Sequence, residues 1–344
     1  MKILFYFDNL QEIHLNKDVG AICIHLTKLP NVEECILATN KNNTSNKDII
    51  ELSEYNLLQS VNRFNVIIFY HFTLKSLMRG LLIRITNKHV KLVLKTDVDR
   101  RYIKSLELSK RKIIFRMFQK IYNLFLVETK QHTEELQKIA KQKHKFVTIL
   151  NGSKIKRNRT EDNTERKNEI LIIGRLGLTQ KNVPFLLRIL SETEKIQELD
   201  CISLVGKMDG PNSLEIKRLL YKLQKKYTLR LMGNINNHKK LVNEFSRAKV
   251  MLVPSLYESF GLVIAEAAVQ RTPIVAHDVG IMQDLAAVTN LVKIVGFNDK
   301  NDWIKNIKYF LNYNIVDTCI STQVDEMFCW DKICKNLYKE IKKC

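Results

Sequence analysis

The sequence predicts an α/β protein of two doubly wound domains, each a parallel sheet with helices on its faces. The chain has 344 residues, more than one hydrophobic core usually organises. Short apolar runs alternate with segments of helical periodicity in both halves, and parallel strands need such long crossovers between them. A polar stretch separates the two halves, which gives each half its own sheet.

The apolar runs are short and bounded by polar residues, which is typical of buried strands. The runs of the N-terminal half are 3–7, 35–38, 66–70, 91–94, 124–127 and 147–150. Those of the C-terminal half are 169–173, 201–205, 228–232, 250–253, 273–276 and 291–294. The halves therefore share one plan, and no short-period repeat indicates a solenoid.

Residues 153–168 are almost entirely polar and can bury little surface, so we interpret them as the interdomain linker. The prediction is an N-terminal domain over 1–150 and a C-terminal domain over 151–325. The last segment, 326–344, has apolar residues at helical spacing and ends in lysines, which predicts a closing amphipathic helix. We interpret Trp330 in that helix as a core residue.

Composition excludes several classes of protein. A hydrophobic fraction of 45% with 27% charged residues is typical of a globular protein. The seven cysteines are dispersed without close CxxC pairs, so we interpret them as reduced thiols. The apolar start is too short for a signal peptide, and no apolar run approaches the roughly 18 residues of a membrane span. We therefore expect a cytoplasmic protein.

Positive charge is concentrated in one part of the chain. The formal net charge is +20, and residues 75–120 alone hold fourteen Lys or Arg against three acids. Within 103–125, cations lie beside aromatic and aliphatic residues at helical spacing. Such a helix suits an anionic bilayer surface, and a polyanionic glycan would fit the same charges. An ordinary amphipathic helix with a solvated basic face explains the pattern equally well.

The most informative stretch is 253–267, which reads VPSLYESFGLVIAEA. A buried strand ends at Pro254, and a helix begins near residues 259–261. This order places free backbone N–H groups and the positive helix end at the carboxyl edge of the sheet, where anions such as a diphosphate bind. Gly261 allows a ligand to approach the backbone closely.

At this stretch the chain resembles the retaining family 4 glycosyltransferases, whose GT-B fold has two Rossmann-like doubly wound domains facing across a cleft. Residues 254–262 followed by Glu266 match that family's two-glutamate signature. The other landmarks occur in family order at 150–152, 174–176, 180–182, 204–206, 232–233 and 272–276. The resemblance also implies that the closing helix packs back on the N-terminal domain.

The resemblance implies roles for the matched residues. Arg175 and Lys181 would neutralise the leaving diphosphate in place of a metal, so neither a metal nor another cofactor is expected. Glu266 would hold the ribose hydroxyls, and Glu258 would face the donor sugar as a catalytic residue. The other predicted donor-binding residues are Ser259, Phe260, Gly261 and Leu262. Without this context, the two acids would be ordinary helix residues and the two cations surface charges.

The N-terminal half departs from the family pattern at its glycine loop. The family usually has paired glycines after the first strand, near the donor phosphate or the acceptor, whereas this chain has only Gly20. We retain Gly20 as a candidate contact, although a simple turn explains it equally well. In the C-terminal half, Arg271 stands where the family commonly has glycine.

A second departure concerns the family's active-site histidine. This chain has Lys95-Thr96-Asp97 at the matching place, so Asp97 is predicted to take the histidine's part as a catalytic residue near the donor sugar or the acceptor. The alternative is that Asp97 and Asp99 form surface ion pairs with the two arginines that follow. Lys95 and His71 are further candidate contacts for sugar or acceptor, and ordinary burial explains His71 as well.

The resemblance implies a retaining glycosyltransferase that moves a sugar from a nucleotide-diphosphate sugar, with UDP-sugar as the expected donor. The acceptor would be a glycan, a glycolipid or a protein-linked sugar in bacterial surface polysaccharide or glycoconjugate synthesis. We expect peripheral contact with an anionic membrane through 103–125 and no nucleic-acid partner, because no nucleic-acid module is recognisable. The alternative is a non-catalytic partner subunit that keeps the fold and recognises glycan or protein.

Overall fold

The computed structural model describes residues 1–15, 17–155, 166–313 and 321–344. The chain divides into two compact units: unit 1 is Met1–Lys154 with Met327–Cys344, and unit 2 is Ile155–Glu326. The predicted domains, 1–150 and 151–325, have their boundaries close to these. Most of the predicted linker, 156–165, lies outside the described residues.

Unit 1 contains a seven-stranded sheet in which every pairing is parallel, in the order β5-β3-β1-β6-β7-β8-β9. Two short strands, β2 and β4, pair separately. The strands are β1 (Lys2–Tyr6), β2 (Leu10–Gln11), β3 (Glu34–Thr39), β4 (Asn42–Asn43), β5 (Ile50–Glu51), β6 (Val66–Tyr70), β7 (Lys91–Thr96), β8 (Leu124–Val127) and β9 (Phe146–Thr148). The helices are α1 (Glu12–Leu15), α2 (Asp18–Leu26), α3 (Glu54–Ser60), α4 (Leu74–Thr86), α5 (Arg100–Ser105), α6 (Ser109–Ile121) and α7 (Lys130–Ile139).

Unit 2 contains a six-stranded parallel sheet in the order β12-β11-β10-β13-β14-β15. The strands are β10 (Lys167–Ile173), β11 (Cys201–Val205), β12 (Thr228–Gly233), β13 (Ala248–Val253), β14 (Ile274–His277) and β15 (Val292–Val295). The helices are α8 (Val183–Glu192), α9 (Ser213–Leu223), α10 (His238–Arg247), α11 (Leu262–Val269), α12 (Met282–Ala286), α13 (Lys300–Leu311) and α14 (Ser321–Met327). Both units are therefore doubly wound, as predicted, and each predicted apolar run overlaps a strand of one of these sheets.

The final helix, α15 (Trp330–Lys343), belongs to unit 1 and packs against α2. Its buried row joins the core on one face of the unit 1 sheet. Trp330 is buried, and a Cβ atom at Gly152 would lie 2.6 Å from its indole ring. The prediction that Trp330 is a core residue is confirmed.

The central strands of the unit 1 sheet are mostly apolar because both faces of a doubly wound sheet are covered. Successive side chains of β1 enter different cores: Leu4 and Tyr6 lie in one, and Ile3 and Phe5 in the other.

Polar side chains determine where helices begin. Thr73 caps α4 in a reciprocal capping box with Ser76.

The basic segment 103–125 folds into the end of α5, all of α6 and the start of β8. Its aromatic residues pack in the core of unit 1 and do not form a solvent-facing stripe, which corrects that part of the membrane prediction. The buried members are Phe115, Phe118, Tyr122 and Phe125. No described helix is long and apolar enough to cross a membrane.

Candidate functional site

The loop between β13 and α11 is held in one conformation by glycines. Gly261 has φ +86° at the start of α11, in the left-handed region that favours glycine. Gly280 has φ +55°, and a Cβ atom there would lie 2.2 Å from the Phe260 carbonyl oxygen. That carbonyl accepts a hydrogen bond of 2.9 Å from the backbone of Ile281. Among the described residues no side chain caps α11, so the backbone N–H groups of Leu262 and Val263 are available to an anion.

Two further glycines shape the turns after neighbouring strands β10 and β11. Gly174 has φ +142° and Gly206 has φ +126°. A Cβ atom at Gly206 would lie 1.8 Å from the Gly174 carbonyl oxygen, and one at Gly174 would lie 3.3 Å from the Lys181 Cε. The close approach of these turns therefore needs glycine at both positions, and it brings Lys181 to the carboxyl edge of the sheet.

The structure brings two predicted site residues into direct contact. The Lys181 Nζ lies 2.5 Å from the Glu258 Oε1, with side chains 15% and 10% exposed. Neighbouring bonds fasten the two loops together: the Gln180 side chain donates to the Tyr257 carbonyl at 2.9 Å, and the Leu256 backbone donates to the Gln180 carbonyl at 2.8 Å. The cation predicted to hold phosphate and the acid predicted to face the sugar thus form one ion pair.

Glu266 lies one turn into α11 and is half-buried. Burial raises the pKa of its carboxyl to about 7. Within the described ranges, no hydrogen bond or ion pair is made to this carboxylate. Burial without a hydrogen-bond donor leaves the desolvation cost of a carboxylate uncompensated. Hydroxyl groups of a ligand can offset that cost by donating hydrogen bonds to it.

The remaining predicted donor residues differ in exposure. Ser259 and Leu262 are half-buried, whereas Phe260 and Gly261 are buried. Arg175 is exposed at the turn after β10. In the part of the chain that the structure describes, no hydrogen bond or ion pair joins its guanidinium to Glu258.

The structure shows the roles of two residues of unit 2 that the sequence did not explain. His277, not predicted as a site residue, ends β14, is buried, and lies with its Nδ1 3.1 Å from the Ser255 carbonyl oxygen. Burial lowers its pKa, so the neutral ring supports the loop that leads to Glu258. Arg271 has φ +58°, which accounts for the family's glycine there, and its guanidinium lies 2.8 Å from Asp325.

At the carboxyl edge of the unit 1 sheet, Lys95 forms ion pairs inside the protein. It is 1% exposed, and its Nζ lies 2.7 Å from Glu128 and 3.1 Å from Asp18. The Asn151 amide also donates to Glu128, at 2.8 Å. Burial opposes the charge of Lys95, yet the two carboxylates outweigh it and raise its pKa; burial also raises the pKa of Glu128, to about 7. The prediction of a direct sugar or acceptor contact for Lys95 is therefore wrong.

Asp97 and Asp99 have separate surroundings. Asp97 is exposed at the end of β7, and among the described residues its carboxylate has no ion-pair partner. Asp99 caps α5 and lies 3.1 Å from the Arg101 guanidinium, while Arg100 pairs with Glu135 at 2.9 Å. The alternative of a surface ion pair thus holds for Asp99, and Asp97 stays a predicted site residue.

His71 and Gly20 are the other candidates of unit 1. His71 follows β6 with φ +64°, is half-buried, and donates its backbone N–H to the Lys95 carbonyl at 2.9 Å; burial lowers its pKa. Gly20 lies in the first turn of α2, so the prediction of a loop or turn there is wrong. A Cβ atom at Gly20 would lie 2.4 Å from the Leu15 carbonyl oxygen, which gives the glycine a packing role.

Comparison with solved structures defines the class of fold. The lipopolysaccharide outer core galactosyltransferase WaaB superposes with a TM-score of 0.72 at 14% identity, covering 100% of this chain and 99% of that one. The Anabaena HepE complex with UDP and glucose gives 0.68 at 14% identity, covering 100% of both chains. At such identities the likeness shows the fold alone: two Rossmann-like domains of the GT-B class.

The sequence comparisons narrow this class to a family. Residues 154–320 match the family model of glycosyl transferases group 1. An uncharacterized glycosyltransferase of Methanocaldococcus jannaschii is 31% identical over 181 residues, which are 49% of this chain and 44% of that relative. The chain thus spans less than half the length of that relative. The match to the glycosyl transferases group 1 model thus lies in the C-terminal half of the chain.

Proposed function

We propose that the protein is a retaining glycosyltransferase that transfers a sugar from a nucleotide-diphosphate sugar. The proposal adopts UDP-sugar as the donor, in keeping with the HepE complex of the same fold, which holds UDP and glucose. The proposed acceptor is a glycan, a glycolipid or a protein-linked sugar. The proposed setting is bacterial surface polysaccharide or glycoconjugate synthesis, in the cytoplasm at the inner face of the cell membrane.

The proposed binding of the nucleotide sugar is supported by one observation, the arrangement of charged residues around the start of α11. The Lys181–Glu258 ion pair and the Glu266 carboxylate, which has no partner among the described residues, both lie in the region that matches the glycosyl transferases group 1 model, near the start of α11. A diphosphate suits a helix start with an adjacent cation. Ribose hydroxyls suit a carboxylate that the protein itself leaves without a donor.

Within the proposal, charge at the diphosphate is balanced by side chains. As the glycosidic bond breaks, negative charge develops on the leaving diphosphate, and Arg175 and Lys181 stabilise it. Binding then draws Lys181 partly away from Glu258, which frees that carboxylate to orient the sugar hydroxyls or to face the positive anomeric carbon. Asp97 is proposed to contact the acceptor or the donor sugar.

Calorimetric titration with UDP, GDP and ADP, followed by a thermal-shift screen of nucleotide sugars, tests this function. A bound donor stabilises the folded protein by mass action, so one nucleotide series should raise the melting temperature more than the others. Transfer with the stabilising donor should persist in EDTA, because the proposal assigns charge neutralisation to Arg175 and Lys181. Failure of every nucleotide to bind would refute the proposal.

The second candidate is a non-catalytic subunit that recognises glycan or protein. The observation that favours it is in unit 1, where Lys95 is committed to internal carboxylates and Gly20 packs within a helix. This candidate predicts glycan binding without hydrolysis or transfer of any nucleotide sugar. Measuring both reactions with the best-stabilising donor separates the two candidates.

A further inference from the structure

Helix α4 presents an unusual solvent-facing row in unit 1. Five large apolar side chains are between 38% and 69% exposed, and their spacing places them on one stripe of the helix. They are Leu74, Met78, Leu81, Leu82 and Ile85. Leu77 and Ile83 of the same helix lie outside this row and pack in the core. The apolar stripe is therefore additional to the one that folding requires.

Helix α6 extends this surface and adds charge. The two helices pack closely, because a Cβ atom at Gly80 of α4 would lie 2.8 Å from Ile121 of α6, and the Arg84 side chain donates to the Ile121 carbonyl at 2.8 Å. Ile113 and Met117 are exposed on α6. The exposed cations of α6 are Lys110, Arg111, Lys112, Arg116 and Lys120. We name these exposed residues of both helices the α4–α6 surface.

A cavity of about 330 Å³ adjoins the α4–α6 surface. Its lining combines the apolar Ile113 and Met117 with the cationic Arg116, Lys120 and Lys141. A ligand with a negatively charged group joined to an apolar chain matches both kinds of side chain. That combination is characteristic of an anionic lipid.

We propose that the α4–α6 surface docks on an anionic lipid bilayer, with the apolar row of α4 entering the interface and the cations of α6 contacting lipid phosphates. The inference builds on the proposed function, since a lipid-linked acceptor would be presented at such a surface. It also relocates the contact predicted for 103–125, because the apolar contribution comes mainly from α4.

Charge decides between a bilayer and the other occupants of an apolar face. In a two-fold dimer through this surface, the same patch meets itself, so the α6 cations of both copies would be brought together without counter-charges. A nucleic acid would satisfy the cations but leave the α4 row in water. A bilayer with anionic headgroups accommodates both the apolar row and the cations.

Flotation with vesicles of phosphatidylcholine, with and without phosphatidylglycerol, tests the inference on the full chain. Wild type should bind the anionic vesicles at least about tenfold more tightly than the neutral ones, and salt should weaken this binding. Met78→Gln, Leu82→Gln and Ile85→Gln together should reduce anionic binding roughly tenfold, because glutamine keeps helix propensity but removes the apolar row. Lys110→Ser, Arg111→Ser and Arg116→Ser together should cause a comparable loss.

The matched control replaces exposed apolar residues on another helix. Leu214→Gln with Tyr221→Gln, both on α9, should leave vesicle binding unchanged. Equal binding of wild type to neutral and anionic vesicles, or undiminished binding by the α4 variant, would overturn the inference. So would a wild-type dimer in sedimentation that the α4 variant dissociates. UDP titration of each variant keeps the two proposals apart, because lost nucleotide binding with intact vesicle binding refutes the proposed function alone.

Discussion

Both sheets carry charged side chains at their carboxyl edges, but the two sets are partnered differently. In unit 1, Lys95 is 1% exposed and lies between Glu128 and Asp18. In unit 2, Lys181 and Glu258 form a pair that stays 15% and 10% exposed, and Glu266 has no partner among the described residues. One edge holds a closed ion cluster, whereas the other holds charges that solvent and ligand can reach.

This difference in partners distinguishes charges that stabilise the fold from charges that can bind a ligand, although both sets lie on sheets of the same type. A buried ion cluster with its own partners leaves little for a ligand to gain, and removing one member is costly. A half-buried carboxylate without a donor still carries a desolvation cost, which ligand hydroxyls offset on binding. Substitution of each charged residue should therefore affect either protein stability or ligand binding, according to its surroundings.

The largest expected effect is on stability in unit 1. Lys95→Ala should lower the free energy of unfolding by about 3–5 kcal/mol, because it leaves the buried Glu128 and the half-buried Asp18 without their cation. Chemical denaturation followed by circular dichroism measures this loss. Lys75→Ala, which removes an exposed cation of α4, is the control and should change stability by less than about 0.5 kcal/mol. Equal effects in the two variants would contradict a structural role for Lys95.

The next effect is on catalysis in unit 2. Glu258→Ala should slow sugar transfer by roughly 10²–10³-fold, by removing a charge aimed at the reacting sugar. UDP affinity should stay level or rise, because the Lys181 ammonium loses its internal partner. Steady-state transfer assays and calorimetry measure the two quantities separately. A large loss of UDP affinity with normal transfer would reverse the assigned roles.

A smaller effect is expected on nucleotide binding. Glu266→Ala should weaken UDP binding by about tenfold, through loss of charge-assisted hydrogen bonds to the ribose. The deoxyribose analogues of UDP provide a matched comparison. Removing the hydroxyl that Glu266 holds should weaken binding to wild type but cause little further loss in Glu266→Ala. Additive losses would show that carboxylate and ribose do not interact.

The smallest effect is a pH dependence. Burial raises the pKa of Glu266 to about 7 in the folded protein, so the carboxylate gains a proton as the pH falls through that value. Ribose hydroxyls bind the ionised form better, so UDP affinity should fall by a few-fold from about pH 8 to about pH 6. Calorimetry across this range should show a steeper dependence in wild type than in Glu266→Ala. Parallel profiles would contradict the assignment.

The sequence was sufficient to predict the strands and the loop before α11. Buried parallel strands are largely apolar, and a glycine at a helix start follows from backbone geometry, so local residues determine both features. The pattern around Glu258 and Glu266 likewise depends on spacing within one strand, turn and helix. These features lie within short segments, which is why they could be read in advance.

Features that depend on distant residues could not be predicted in the same way. Lys95 looked like a ligand contact because its partners Asp18 and Glu128 lie far away in the chain. The aromatic residues of 103–125 looked available to a membrane until the fold directed them into the core. The exposed row of α4 was missed because that helix is apolar on both faces, and only packing shows which face is covered.

The central claim is that the carboxyl edge of the unit 2 sheet binds the nucleotide of an activated sugar through Glu266 and its neighbours. The most direct measurement is calorimetric titration of UDP into wild type and into Glu266→Ala, with GDP and ADP in parallel. The account predicts one nucleotide bound per wild-type chain, with affinity about tenfold weaker in the variant. Identical isotherms for wild type and variant, or no binding of any of the three nucleotides, would contradict it.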